Sequence, residues 1–183
     1  YTGGAFEPCL YNYNVLTMSD DSGASWSQPI LAVGTDKVNR LRKIDAELWV
    51  NKVDNSLWVM WTVSPYTEKS TPATIKTKFD FDYHREFLYT EVMICKDPDA
   101  DELIWEKPRT MCEGFMRNKP IVTSSGTIIA PAYDYQGFQY MLRVSTDGGQ
   151  NFCNVAVNGK PDACIFDEIT VCELSPVNLR FLA

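Results

Sequence analysis

The sequence has 183 residues, 45% hydrophobic and 22% charged, so it is long and apolar enough to fold around a core as one ordinary domain. Its longest apolar stretch, residues 56–63, is far shorter than the ~20 residues of a membrane helix, and no basic segment followed by an apolar run opens it. We therefore expect neither a membrane span nor a signal peptide here. Seventeen Lys and Arg against 24 Asp and Glu give a net charge of −7, and no basic run occurs, which argues against nucleic acid or anionic lipid as a partner.

In chain order, the apolar runs are short, rich in Val, Ile, Trp, Tyr and Phe, and separated by Asp, Asn, Ser and Gly. This pattern is typical of strands joined by tight turns, and helical periodicity is nearly absent. We predict an all-β chain. The predicted strands are residues 11–18, 47–51, 57–63, 87–95, 119–123, 127–132, 139–144, 153–157, 169–174 and 178–182.

A turn motif of the form S-x-D-x-G-x-x-aromatic occurs twice, each time after a predicted strand. An Asp carboxylate can accept backbone N–H bonds, Gly permits a positive φ, and we expect the aromatic side chain to be buried as an anchor. A degraded third copy covers residues 96–105 without the glycine. The residues of the two clear copies are Ser19, Asp21, Gly23 and Trp26, and Ser145, Asp147, Gly149 and Phe152.

A second repeat, of strand, short turn and strand, covers residues 45–63, 118–134 and 167–182. Alternation of the two repeats predicts four-stranded sheets arranged around an axis, which is a β-propeller. We expect one partial propeller domain over residues 1–183, with about three blades in segments of about 1–40, 41–113, 114–163 and 164–183, and an insertion at 65–85. The remaining blades would come from further sequence or from another chain.

The cysteine and histidine content restricts the chemistry. No C-x-x-C pair occurs and His84 is the single histidine, so we expect neither a zinc site nor a cofactor, and a Ser-His or Cys-His mechanism would depend on His84 alone. Disulfides are possible, but mostly free thiols are favoured because several of the cysteines lie in apolar runs. The six are Cys9, Cys95, Cys112, Cys153, Cys164 and Cys172.

With these repeats, the sequence resembles the sialidase-like, six-bladed propellers with BNR repeats, in which the turn motif is called the Asp box. Residues 45–50 with 57–61 resemble the D-P-x-L-W-V and L-W-x-x-W strands of that group, and residues 118–122 resemble its N-K-P-x-V segment. The resemblance covers nearly the whole chain. It implies an exo-glycoside hydrolase that removes terminal sialic acid or a related sugar from glycans, in an extracellular, periplasmic or cell-surface location.

The resemblance also implies part of a catalytic site. Residues 167–174, which include Glu168, are similar to the sialidase segment in which a Glu opens the first strand of a blade and activates a Tyr nucleophile. A phenol suits an anionic sugar better as nucleophile than a carboxylate does. Residues 3–7 resemble a G-G-x-x-E segment, and Glu7 is a possible acid. The Tyr nucleophile and the three arginines expected on the sugar carboxylate do not map onto this chain.

Topology gives an independent prediction of the ligand-binding rim. In every blade the start of strand 1 and the end of strand 2 lie at the same end of the axis, so polar and aromatic residues there should gather. The candidate substrate-binding residues are Asp45, Arg117, Asn118, Tyr133 and Asp134, with Ser64 beside them. Structural alternatives stay open: Asp45 and Asn118 as strand-end caps, Tyr133 as packing, and Arg117 paired with a rim carboxylate.

The sequence leaves three functions open: a sialidase-type hydrolase, a catalytically inactive carbohydrate-binding or interaction propeller, and a glycosidase for another sugar. The expected partner is a glycan or small sugar. The motif residues are expected to be structural.

Overall fold

The computed structural model describes residues 11–39, 41–65, 89–134, 139–156 and 168–182, and these form strands and turns without a helix. Short runs of alternating exposed and buried residues account for the strands. The strands are β1 Tyr13–Leu16, β2 Leu31–Gly34, β3 Leu41–Val50, β4 Leu57–Pro65, β5 Tyr89–Cys95, β6 Arg109–Glu113, β7 Ile121–Val122, β8 Ile128–Asp134, β9 Gln139–Ser145, β10 Cys153–Ala156, β11 Thr170–Ser175 and β12 Asn178–Leu182.

These strands form four antiparallel sheets that follow one another along the chain. Sheet 1 is β1-β2, sheet 2 is β3-β4-β5-β6, sheet 3 is β7-β8-β9-β10, and sheet 4 is β11-β12. The predicted all-β fold class is confirmed, and the successive antiparallel sheets are consistent with a partial β-propeller. The predicted blade boundaries stay a prediction.

Apolar clusters join each sheet to the next, so that the sheets stack face to face. Because side chains alternate between the two faces of a strand, β4 contributes to both neighbours. Val59, Trp61 and Val63 face Val33 and Leu16 of sheet 1, whereas Trp58 and Met60 face Ile128 and Ala130 of sheet 3. Ile129 and Leu142 of sheet 3 contact Val171 of sheet 4.

The first motif turn, residues 19–26, connects β1 to β2. The Ser19 hydroxyl donates to Asp21 Oδ1 at 2.8 Å and accepts the Gly23 N–H, while Asp21 accepts the Ser25 N–H at 2.8 Å. Trp26 was expected to be a buried anchor, and this is wrong: it is 63% exposed. Its ring lies beside Gly23, and sheet 1 is the end sheet of the described stack, so no further described sheet covers it.

The second motif turn, residues 145–152, connects β9 to β10 with the same bonds. The Ser145 hydroxyl donates to Asp147 Oδ1 at 2.7 Å and accepts the Gly149 N–H at 2.9 Å, and Asp147 accepts the Asn151 N–H at 3.0 Å. Phe152 is partly buried against the cluster between sheets 2 and 3. This turn therefore has the aromatic anchor that the first one lacks.

Polar contacts also fix the second motif turn to sheet 2. Arg109 of β6 donates from Nη2 to the Gly149 carbonyl at 2.7 Å, and its Cζ lies 6.0 Å from the centre of the Trp58 ring. Asn51 Nδ2 donates to the Gly148 carbonyl at 3.4 Å. Sheets 2 and 3 are thus joined by polar contacts at the second motif turn as well as by their shared apolar core.

Several strand limits differ from the predicted ones. β3 begins at Leu41, six residues before the predicted start, so Asp45 lies inside the strand and does not cap its end. β2 and β6 were not predicted, because their four- and five-residue sequences contain Gly, Ala, Arg, Thr and Glu, which weaken an apolar pattern.

Four cysteines lie among the described residues, and all four are free thiols, as was favoured: Cys95, Cys112, Cys153 and Cys172. Cys95 and Cys112 are buried, and burial raises the pKa of the Cys112 thiol to about 11 despite the nearby Arg143. His84, Cys9 and Cys164 lie outside the described residues.

Candidate functional site

An ion pair between two sheets forms the centre of the predicted rim. Asp45 lies at a bulge of β3, where the register with β4 shifts between Ile44 and Glu47, and its φ is +54°. β3 is the edge strand of sheet 2, a position where bulges are common. Its Oδ1 is 2.9 Å from Nη1 of Arg117, in the segment between β6 and β7. Both side chains are largely buried, at 25% exposure for Arg117 and 11% for Asp45.

The surroundings of Arg117 keep it charged. Desolvation is the largest single influence and lowers its pKa, but Asp45, a hydrogen bond with Tyr133 and the charge of Glu168 together raise the pKa above its ordinary value. Its Nε is buried and has no hydrogen-bond partner among the described residues. Arg117 is therefore a fixed cation with hydrogen-bonding capacity left over.

Two stacked aromatic rings support this cation. Phe115 and Tyr133 exchange backbone hydrogen bonds of 3.0 and 2.9 Å, and their rings lie 5.4 Å apart at 17°. Both are almost fully buried, and Arg117 Cζ lies 5.9 Å from the centre of the Phe115 ring. Tyr133 is thus a packing residue with its hydroxyl group turned to Arg117, not an exposed platform for a sugar ring.

The residues just before the fourth sheet join the site. Asn118 Nδ2 donates to the Glu168 carbonyl at 2.8 Å and to the Ile169 carbonyl at 3.0 Å. Glu168 is exposed and its φ is +69°. Asp45, Arg117, Asn118, Tyr133 and Glu168 are therefore together, as the topology predicts. They come from sheets 2 and 3, from the segment between β6 and β7, and from the residues that lead into β11.

Other predicted residues lie elsewhere or outside the description. Ser64 is buried and accepts a 2.8 Å hydrogen bond from Arg42 Nη2, so it is not at an open ligand surface. Asp134 ends β8, but its side chain lies outside the described part, and Glu7 lies outside the described residues altogether.

Two residues near this site were not found from the sequence. Arg42 is buried on β3 although arginine is usually exposed. The pKa of Glu47, which follows the bulge, is raised by desolvation and by the charge of Asp45, although the charge of Lys119 lowers it. The sequence could have placed Arg42 in a strand, because the run before Asp45 continues the strand pattern of residues 47–50, but it gave no signal for the burial of Arg42.

Within the described ranges, no cluster of three His, Cys, Asp or Glu side chains could hold a metal ion. No helix in the described residues is long and apolar enough to cross a membrane.

No protein-family model and no curated protein matches this chain. Eight solved chains match it, among them the Hadza microbial sialidase Hz136, with a TM-score of 0.51 and 14% identity over 75% of this chain. The match covers 30% of that solved chain. At this identity the likeness shows the fold alone: the chain has a sialidase-like, all-β fold.

Proposed function

We propose that the described sheets supply part of a sugar-binding site of a sialidase-like exo-glycoside hydrolase, whose substrate is a glycan with terminal sialic acid or a related sugar. The observation that carries the proposal is the convergence of Asp45, Arg117 and Glu168 from three separate parts of the chain, with Arg117 held as a cation 2.9 Å from Asp45. The likeness of the fold to a sialidase supports it. Since fold alone does not fix function, the proposal depends on the site residues.

Within this proposal Arg117 faces the carboxylate of the sugar. A guanidinium binds a carboxylate with two parallel hydrogen bonds, which a lysine cannot reproduce. Glu168 would be the partner of a Tyr nucleophile, as the sequence resemblance implies, and Glu7 stays a candidate acid. The remaining blades would complete the site.

A catalytically inactive carbohydrate-binding propeller is the second candidate. It is favoured by the pairing of Arg117 with Asp45, which already satisfies part of the guanidinium. The motif residues, including Ser19, Asp147 and Phe152, have structural roles under both candidates.

Ligand-observed NMR with a methyl α-sialoside tests the proposal, together with turnover of a fluorogenic sialoside. Arg117→Lys should weaken binding roughly 10- to 100-fold, the worth of a charge-assisted hydrogen bond. Arg109→Lys is the matched control, because this arginine lies at the second motif turn, and it should leave binding unchanged. Binding with turnover supports a hydrolase, binding without turnover supports the inactive candidate, and no sialoside binding contradicts both.

A further inference from the structure

Glu168 has a positive φ, which is unusual for a residue other than glycine. Its φ of +69° lies in the left-handed region, where a Cβ approaches the following carbonyl oxygen, so surrounding contacts must hold it there. Residues in such conformations concentrate at functional sites. Here the residue is the glutamate whose charge acts on Arg117.

Asn118 provides the holding contact. Its Nδ2 donates to the carbonyl of Glu168 itself and to that of Ile169, at 2.8 and 3.0 Å. The bond to the Glu168 carbonyl restrains the peptide group between Glu168 and Ile169, whose orientation is set by the φ and ψ angles of Glu168. Because an asparagine amide nitrogen has two N–H donors, both are committed to the backbone, and Asn118 has none left for a sugar.

The sequence places this contact beside the cation. Arg117 and Asn118 are adjacent, so one short segment fixes the guanidinium against Asp45 and the backbone of Glu168 at the start of sheet 4. Two hydrogen bonds from Asn118 thus tie the backbone at Glu168 to the residue that follows Arg117. A shift of this peptide would move the Glu168 side chain relative to Arg117.

We propose that Asn118 is a positioning residue, which holds Glu168 in its left-handed conformation next to the Arg117 site, and that Asn118 is not a hydrogen-bond donor to the sugar. The effect on sugar binding rests on the proposed function, whereas the effect on the Glu168 backbone does not.

A second polar contact between the same two sheets provides a matched control. Glu173 of β11 accepts hydrogen bonds from Ser124, at 2.6 Å from the backbone N–H and 3.1 Å from the hydroxyl. Glu173→Ala therefore removes as many bonds between sheet 4 and the sheet 3 region as Asn118→Ala does, but far from Glu168 along β11. The comparison of the two variants separates weaker attachment of sheet 4 to sheet 3 from loss of the Glu168 conformation.

The test has two readouts in the 183-residue chain: the intraresidue HN–Hα NOE of Glu168, which is strong at positive φ, and the affinity for the methyl α-sialoside. Asn118→Ala should lose the strong NOE and weaken binding about tenfold, which corresponds to the loss of one charge-assisted interaction. Glu173→Ala should keep both. The proposal is overturned if Asn118→Ala keeps the NOE, or if Glu173→Ala weakens binding equally.

The two proposals fail differently. If the wild type does not bind the sialoside, the proposed function fails, and the NOE still decides whether Asn118 positions Glu168. If Asn118→Ala does not fold, it is combined with Glu168→Gly, because glycine adopts positive φ without the Cβ penalty. Restored folding supports the positioning role, and continued failure to fold refutes it.

Discussion

Gly149 lies directly against the indole ring of Trp58: a Cβ on this glycine would overlap Cη2 of Trp58, at a backbone φ of +91°. The contact joins the second motif turn of sheet 3 to the core of sheet 2. It gives the glycine of the motif a role between sheets in addition to its role within the turn.

Replacement of Gly149 by alanine should therefore be strongly destabilising. The left-handed backbone alone costs about 1–2 kcal/mol with a Cβ, and overpacking against Trp58 adds about 1–3 kcal/mol. Gly148→Ala is the matched control, since Gly148 also has positive φ but nothing lies within 4 Å of its Cβ position. Urea unfolding should rank Gly149→Ala well below Gly148→Ala; equal losses would mean that Trp58 moves aside freely.

Replacement of Trp58 should destabilise the protein much more than replacement of Trp26, although Trp26 is the aromatic residue of the turn motif. Trp58 is 1% exposed in the shared core of sheets 2 and 3, so Trp58→Ala should cost about 3–5 kcal/mol. Trp26, the aromatic of the first motif turn, is 63% exposed, and its loss should cost less than about 1 kcal/mol. Comparison of the two free energies of unfolding checks this, and a large loss for Trp26→Ala would show that further sequence or a second chain covers it.

Thiol labelling should distinguish the described cysteines. The thiolate is the reactive form, and the raised pKa of Cys112, about 11 against 9, reduces its thiolate fraction roughly hundredfold before limited access is counted. Cys153 and Cys172 are exposed. Brief treatment with an alkylating reagent, followed by peptide mapping, should modify these two in the native state and Cys112 only after denaturation. Fast native labelling of Cys112 would contradict its burial.

The fold class was predictable because the turn chemistry is local. Ser, Asp and Gly at fixed offsets close each motif turn by themselves, so the positions of Asp21 and Asp147 indicate hairpins before any tertiary contact is known. The exposure of Trp26 was not predictable, because the motif fixes the turn and the neighbouring sheet decides what covers the ring. Phe152 has such a neighbour in sheet 2.

The proximity of the candidate site residues was predictable, but their detailed contacts were not. Strand direction in a repeated sheet places Asp45, Arg117 and Glu168 at the same end, and the ion pair of Asp45 and Arg117 follows from that. The bulge at Asp45 depends on how β3 fits β4, which no local pattern encodes. Arg42 was missed because burial of an arginine depends on partners such as Ser64 that are distant in sequence.

The motif carboxylates should make stability depend on acid pH. Hydrogen bonds from Ser25 and Ser19 lower the pKa of Asp21 from 3.8 to about 2, and bonds from Asn151 and Ser145 lower that of Asp147 further. A lowered folded-state pKa contributes stability that is fully present above the unfolded value, near 4, and is lost as pH falls through the folded value. Asp147→Asn should therefore lower the melting temperature at about pH 7, and its difference from the wild type should shrink steadily below about pH 4. Asp20→Asn, which removes the same charge beside the first turn without touching these bonds, is the control. A deficit for Asp147→Asn that stays constant down to about pH 2 would show that the carboxylate charge does not stabilise the turn.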